Sequence, residues 1–165
     1  MQRLIILKKV FKDVVIIGAG AAGLMCAIEA GKRGREVILV DAAHKLAEKI
    51  RISGGGRCNF TNRYARAENF LSSNPHFCRS ALARFTPLDF IALVEKHGIR
   101  YHEKKLGQLF CDDSSQQIID MLQDECQTVN VEWQISSQVE QIEYLPGNAG
   151  VQKAGHKFLL TTERN

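Results

Sequence analysis

The sequence predicts an α/β fold, and three observations carry that prediction. A buried apolar run from Val14 to Ile17 leads straight into glycines at 18, 20 and 23. A helical stretch follows, with Ala27 and Gly34 at what read as its small-residue positions. A second apolar run, Val37 to Val40, then ends on Asp41. Strand, glycine loop, helix, strand and acid in that order form the opening unit of a doubly wound parallel sheet.

Each residue type in the unit has a chemical reason. Gly18 permits the tight turn out of the first strand. Gly20 lets the backbone come close to a phosphate, and Gly23 and Ala27 let the helix pack tightly on the sheet. The amides of Ala21 and Ala22 open that helix, where unpaired N–H groups and the positive end of the dipole attract an anion. Asp41 falls near the roughly 20-residue spacing of a ribose-binding carboxylate. An ionised carboxylate only accepts hydrogen bonds, so it takes ribose hydroxyls and repels a 2′-phosphate. The expected ligand is therefore FAD or NAD rather than NADP. A lone G-x-G-x-x-G occurs in many ordinary βαβ turns; here all the parts stand in sequence.

Size and composition set the class. The 165 residues are 45% hydrophobic and 24% charged, the balance of one globular domain with a sizeable core. The apolar runs are far too short to span a bilayer. The short run Leu4 to Leu7 is broken by Lys8, Lys9 and Lys12 and lacks a cleavage pattern. Residues 1–12 thus read as an N-terminal extension, and the expected location is cytoplasmic. Five cysteines without a C-x-x-C pair argue against both a disulfide framework and a zinc site. The histidines are scattered, so no metal is expected. Cys26 and Cys126 read as small core residues on apolar helix faces. Of the 22 basic residues, Arg57, Arg63, Arg66, Arg79, Arg84, Arg100, Lys104 and Lys105 concentrate in the middle. They suit a solvated surface with some phosphate-binding residues, or an RNA-contacting face.

After Asp41 the pattern predicts a short helical piece and then a glycine-triplet loop. From Pro75 to Gly98 it is helical again. Phe77, Ala81, Leu82 and Phe85 share a face of the first helix, which Phe85 closes. Thr86 caps the next helix, with Pro87 at its first position and Ile91 and Val94 facing inward. Gly98 suits its left-handed stop. Ile99 to Cys111 reads as extended, with a turn at Gly107. Asp113 or Ser114 caps a third helix whose buried face holds Ile118, Ile119, Leu122 and Cys126. Val129, Val131, Trp133 and Ile135 alternate as a strand. Another strand, near Val139 to Leu145, ends in the turn Pro146-Gly147-Asn148. Phe158 to Leu160 closes a hairpin or meander. No segment is evident that returns to extend the parallel sheet, so the chain reads as the first part of a longer protein.

The loop Ser53-Gly54-Gly55-Gly56-Arg57-Cys58-Asn59-Phe60-Thr61-Asn62 is the second motif. Ordering three consecutive glycines costs entropy that a bound ligand offsets. Bare amides there can face phosphate oxygens or a flavin edge. Arg57 adds a charged fork, and Asn59, Thr61 and Asn62 add hydrogen bonds. A flexible polar linker is the simpler alternative, but it does not require the run RCNFTN.

With this loop, the sequence resembles the BaiN/RdsA (YhiN-like) family of flavoproteins. The likeness rests on GAGAAGLMCAIEAGKRGREVILVD and KIRISGGGRCNFTN, and it continues through PHFCRSALARFTPLDFIALVEKHGI and GQLFCDDSSQQIIDML. It implies an incomplete Rossmann-like FAD-binding domain of the glutathione-reductase type over residues 13–165. A helical insertion at about 63–98 and an antiparallel strand excursion would interrupt it. It implies noncovalent FAD. Gly18, Gly20, Ala21, Ala22 and Gly23 would hold the pyrophosphate and Asp41 the adenosine ribose. Lys49, Gly55, Gly56, Arg57, Cys58, Asn59, Thr61 and Asn62 would line the path to the flavin, and the backbone of Val139 would pair with adenine. It further implies NADH or NADPH as reductant and reduction of carbon–carbon double bonds. The substrate would be a small molecule such as a dehydro-steroid, or a ribosomal RNA uridine. The remainder of the parent chain would complete the FAD site, and this portion alone would not turn over. Cys58 is the one cysteine in a polar loop and a speculative proton donor, although Arg57 beside it would lower its pKa and make it a thiolate. A nucleotide-binding module without redox activity, holding NAD or ADP, is the remaining alternative.

Overall fold

The computed structural model describes residues 10–145 and 157–164, the last of these by backbone alone. The expected turn at Pro146 to Asn148 and residues 1–9 of the N-terminal extension lie outside the described residues. The chain forms two compact units: residues 1–44 with 126–165, and residues 45–125.

The first unit is built on a parallel sheet. Strand β1 (Val14–Ile17) enters the glycine turn, helix α1 (Ala21–Lys32) follows, and strand β2 (Val37–Asp41) returns beside β1. Val14 pairs with Val37 and Ile17 with Val40. The four apolar residues of β2 are all buried, as expected for a central strand covered on both faces. Leu24, Ala27 and Ile28 are wholly buried on α1, one stripe at helical spacing. Cys26 lies two residues past Leu24, off that stripe, and is exposed, which corrects its assignment to the core. Gly34 lies beyond the helix end, where its φ of +71° lets the amides of Gly34 and Arg35 close on Gly31 and Ala30. It is a stop signal rather than a packing position.

A third strand also belongs to this sheet, contrary to the expectation that none returns. The segment Glu132–Ile135 runs parallel to β2 on the side away from β1, pairing Ile38 with Glu132 and Asp41 with Ile135. Its alternating pattern predicts a strand without a direction. Periodicity reports which face is wet and carries no strand direction. The chain then forms the expected antiparallel hairpin, Ser137–Tyr144 against Phe158–Arg164.

The second unit begins with helix α2 (Glu48–Ile52) and a tight turn over Ser53–Gly56. Strands β3 (Asn59–Asn62), β4 (Tyr101–Glu103) and β5 (Gln108–Cys111) form an antiparallel sheet in the order β3-β5-β4. Helix α3 spans Arg79–Arg84 and α4 spans Pro87–Lys96. Phe60 packs against Phe90 and edge-on to Tyr101, with ring centroids 6.1 and 5.5 Å apart. Thr86 and Asp89 form a reciprocal cap with Pro87 in the first position, as expected. Phe77 does not join a helical face. Helix α3 starts two residues after it, and Phe77 is 83% exposed. Helix α5 (Gln116–Thr128) buries Ile118, Ile119, Leu122 and Cys126, the expected face. In chain order the final strands are β6 (Glu132–Ile135), β7 (Ser137–Tyr144) and β8 (Phe158–Arg164).

One close contact tests this packing. A methyl group on Gly31 would lie 2.5 Å from Val129 Cγ2. Alanine gains about 1 kcal/mol of helix propensity over glycine, but overpacking costs about 1–3 kcal/mol. Gly31→Ala is therefore expected to destabilise the protein in urea melts. Adding Val129→Ala should recover part of that loss through a favourable coupling in the double-mutant cycle.

Candidate nucleotide-binding site

The glycine turn of the first unit is built for close approach. Gly18 sits at φ +104°, and its amide donates to Val40 O at 2.8 Å, which ties the turn to the tip of β2. A Cβ on Gly23 would stand 1.8 Å from Gly18 O, so no side chain fits where the helix crosses the turn. Gly20 is different. Its φ of −82° is open to any residue, and a Cβ there would meet nothing within 4 Å. It is also the N-cap of α1, yet no side chain caps that end and no acidic residue lies in the first turn. A helix normally gains about 1 kcal/mol from a Ser, Thr, Asp or Asn cap. Here the cap residue is bare, the adjacent Ala21 and Ala22 are exposed, and their amides stay available to an anion.

Asp41 closes the other side. Its Oδ2 accepts from the amide of Ala19 at 2.5 Å and its Oδ1 from Ala43 at 2.7 Å. A carboxylate offers about four acceptor directions, so each oxygen keeps one for a ribose hydroxyl. The strand end beyond Asp41 is held in turn, with Ser136 N donating to Ala43 O at 3.2 Å and His44 Nδ1 2.7 Å from Ser136 Oγ. Val139 follows on β7, half-buried and paired with Thr162 next to a bulge in the ladder. Gly18, Gly20, Ala21, Ala22, Gly23 and Asp41 thus come together around one turn. They fit the pyrophosphate and ribose of a dinucleotide, since Gly20 has neither a positive φ nor a crowded Cβ position to require glycine and stands at an uncapped helix end.

The second motif lies in the second unit. Gly54, Gly55 and Gly56 all adopt positive φ, at +59°, +68° and +85°. A Cβ on Gly54 would meet the Phe110 ring at 2.7 Å, whereas Gly55 and Gly56 face open space. The loop backbone is well anchored. Ser115 N donates to Gly56 O at 2.7 Å, Cys111 N to Arg57 O at 2.9 Å, and Cys58 N to Ser53 O at 3.1 Å. The loop is thus held as a shaped turn, not a slack linker. Lys49, Arg57 and Asn59 are exposed and Thr61 is partly buried. The side chain of Asn62 is engaged by the neighbouring turn, donating to Leu106 O and accepting from Tyr64 N, both at 2.9 Å.

Cys58 departs from expectation. It is 4% exposed with a φ of +50°, and burial raises its pKa, with a smaller opposing effect from Ser53. The expected lowering by Arg57 is corrected: the Arg57 side chain is exposed, so desolvation of the thiol prevails. A thiol so enclosed is a packing group. Cys111, fully buried, is pushed up to about 12, first by burial and then by the charge of Cys58. Sequence reasoning missed the role of Ser115, whose Oγ donates to Arg51 O at 2.8 Å while its amide holds the glycine loop. No periodic or motif signal marks such a residue. Among the described residues no cluster of His, Cys, Asp or Glu could hold a metal, and no helix is long and apolar enough to cross a membrane.

A parallel sheet whose first glycine turn is clasped by the acid of the second strand is the Rossmann-like fold of FAD-binding domains. Residues 12–163 match the HI0933-like protein Rossmann domain, and the chain belongs to that family. It is 62% identical over 127 residues to a ribosomal RNA dihydrouridine synthase of Escherichia coli K12, covering 77% of this chain and 32% of that protein. Against the protein of the same name from Haemophilus influenzae Rd the identity is 48% over 141 residues, covering 86% and 35%. The chain thus spans about a third of the length of these relatives. Among solved structures, a flavocytochrome c3 fumarate reductase in its open conformation shares the fold with a TM-score of 0.52. Its identity is 20%, over 81% of this chain and 28% of that one.

Two predictions follow from the glycines and the thiols. In cofactor-free protein, Gly20→Ser should leave urea stability unchanged or slightly raised, because serine caps well. The same change should weaken titrated FAD at least about tenfold, by placing a side chain where the phosphates approach. Gly23→Ala should instead lower stability by about 3 kcal/mol. The raised thiol of Cys111 sets the sign of a base limb. Its protonated form is favoured in the folded state, so the stabilisation is complete below the ordinary value of 9.0 and is lost as pH climbs towards about 12. Urea melts between pH 7 and 10.5 should show stability falling above pH 9, with a shallower fall in Cys111→Ala.

Proposed function

We propose that the chain carries the FAD-binding part of a flavin-dependent oxidoreductase that reduces a uridine of ribosomal RNA to dihydrouridine. The observation behind this reading is the 62% identity to the E. coli ribosomal RNA dihydrouridine synthase. It runs alongside a glycine turn that is open at Gly20 and leads into a helix end with no side-chain cap. A relative named as a 3-dehydro-bile acid delta(4,6)-reductase is only 24% identical over 146 residues, so the RNA substrate is preferred over a steroid. The reaction belongs in the cytoplasm, where ribosomal RNA is found.

When bound, FAD supplies hydride transfer to an activated double bond, with NADH or NADPH as the source of reducing equivalents. The residues of this chain bind and orient. The amides of Gly20, Ala21, Ala22 and Gly23 hold the pyrophosphate at the positive end of α1, with Gly18 shaping the turn. Asp41 takes the ribose hydroxyls and disfavours a 2′-phosphate, and the backbone of Val139 meets adenine. On the flavin side the proposed contacts are Lys49, the bare amides of Gly55 and Gly56, the Arg57 fork, and polar groups of Asn59 and Thr61. Cys58 and Asn62 contribute there through backbone, since their side chains are buried or engaged. The proton that completes the reduction comes from a group other than Cys58.

The test uses the complete protein. Purified and incubated with FAD, it should show a flavin absorbance spectrum that NADH or NADPH bleaches under anaerobic conditions. Ribosomal RNA from cells lacking the protein should lose a dihydrouridine that the purified enzyme restores. A protein that stays colourless after FAD incubation would sink the cofactor assignment. Flavin-loaded protein that is reduced normally but leaves ribosomal RNA unchanged would sink the substrate.

A further inference from the structure

The segment from Arg63 to Arg84, within the second unit, holds none of the residues assigned to the nucleotide site. Its backbone is ordered by local polar bonds. Asn69 Oδ1 accepts from Arg66 N at 3.0 Å, Ser72 Oγ from Asn74 N at 3.1 Å, and Asn74 Oδ1 from His76 N at 3.1 Å. Cys78 Sγ reaches Ala67 O at 3.8 Å and joins the two ends of the loop. Upon this frame the large side chains point outward, with Phe70 50%, Leu71 96% and Phe77 83% exposed. Phe70, Leu71, Pro75, Arg79 and Glu68 surround a concavity of about 220 Å³.

The charge of the segment that carries the concavity is one-sided. The segment holds Arg63, Arg66, Arg79 and Arg84 against the single acid Glu68. Arg63 lies 3.7 Å from Glu103 and Arg66 lies 3.9 Å from Glu68. Arg79 and Arg84 have no carboxylate within ion-pair distance among the described residues, and both are exposed. Ordered aromatic faces interleaved with unpaired guanidinium groups are what single-stranded nucleic acid requires. The rings stack on bases, and the cations meet phosphates. The concavity is smaller than a usual drug-sized pocket and suits one planar base.

We propose that this surface is a single-stranded RNA contact. An unstacked base rests on Phe70 in the concavity while Arg79 meets a neighbouring phosphate. The proposal rests on the RNA-modifying reading above and adds where the substrate strand is held. Charge complementarity selects RNA over an apolar protein segment, since Arg79 lines the concavity without a carboxylate partner and Arg84 adds a second such cation to the same segment.

The test uses the complete, flavin-loaded protein and a fluorescein-labelled single-stranded oligoribonucleotide rich in uridine. Anisotropy titrations would be run from 50 to 200 mM salt, about the range over which phosphate contacts declare themselves. Phe70→Ala should weaken binding about tenfold, and Phe70→Leu should not restore it, because leucine keeps the apolar volume and loses the stacking face. Arg79→Ala should weaken binding and reduce the salt slope by about 0.7, the loss of one single-strand phosphate contact. Each variant should keep its flavin spectrum and melting temperature. If the wild type binds RNA and forms dihydrouridine, and the variants bind equally well, the contact lies elsewhere and the functional reading stands. If Phe70→Ala lowers the melting temperature and leaves RNA binding intact, the ring packs against protein and the proposal is overturned. If the wild type neither binds RNA nor forms dihydrouridine, proposal and functional reading fall together.

Discussion

The hydrogen bond from Ala19 N to the Asp41 carboxylate is the constraint on which the first unit depends. It is a charge-assisted bond of 2.5 Å across 22 residues of chain, of a kind worth about 1.5–3 kcal/mol. It joins the glycine turn to the end of β2, so that strand pairing and turn geometry set one another. The Gly18 amide bond to Val40 O reinforces the same junction. Helix α1 lacks an acidic residue in its first turn, and Asp41 brings negative charge to that region from a different strand. The residue expected to grip a ribose is therefore also the residue that holds the glycine turn in shape. Both roles fit one carboxylate because the amides occupy only part of its acceptor capacity.

The second unit meets a different problem, how to hold three glycines in a row. Each of Gly54, Gly55 and Gly56 is in the left-handed region, and Cys58 joins them there without the steric freedom of glycine. A non-glycine residue in that conformation costs of order 1 kcal/mol or more and persists only where its surroundings enforce it. The enforcement is visible. Gly54 is closed in by Phe110, the Gly56 carbonyl is bonded by the Ser115 amide, and the Cys58 side chain is buried. The thiol that looked reactive in the sequence, set between arginine and asparagine, is turned inward as one of these constraints. Loop polarity describes the residues of a segment and says little about which of them face solvent.

How much of this was readable from residues alone differs by feature. The Thr86 cap with Pro87 after it, the stop at Gly98 and the buried face of α5 depend on neighbours within a turn or two, and each was readable. The order of strand, glycine turn, helix and second strand ending on Asp41 was readable too, because apolar runs and glycines at fixed offsets mark it. The third parallel strand was not. Glu132–Ile135 takes its place beside β2 after an excursion of some 90 residues, and its own pattern does not encode the partner or the direction. Nor was the use of Asn62, whose amide serves the turn at Gly107 instead of solvent or ligand. Such pairings are set by tertiary contacts, which local sequence does not carry.

The glycines show how structure separates reasons that a sequence merges. Gly23 and Gly31 are glycines because neighbouring atoms already occupy the space of a side chain. Gly18 and Gly34 are glycines because their backbone is left-handed. Gly20 satisfies neither condition: its φ is ordinary, its Cβ position is open, and it occupies a cap where a polar side chain would stabilise the helix. Stability within the fold offers no reason for glycine at this position. The proposed ligand supplies one: a group that comes within contact distance of the backbone, at the positive end of a helix and beside the amides that no side chain caps. A diphosphate meets that description, and the argument for a dinucleotide stands on this residue more firmly than on the motif that contains it.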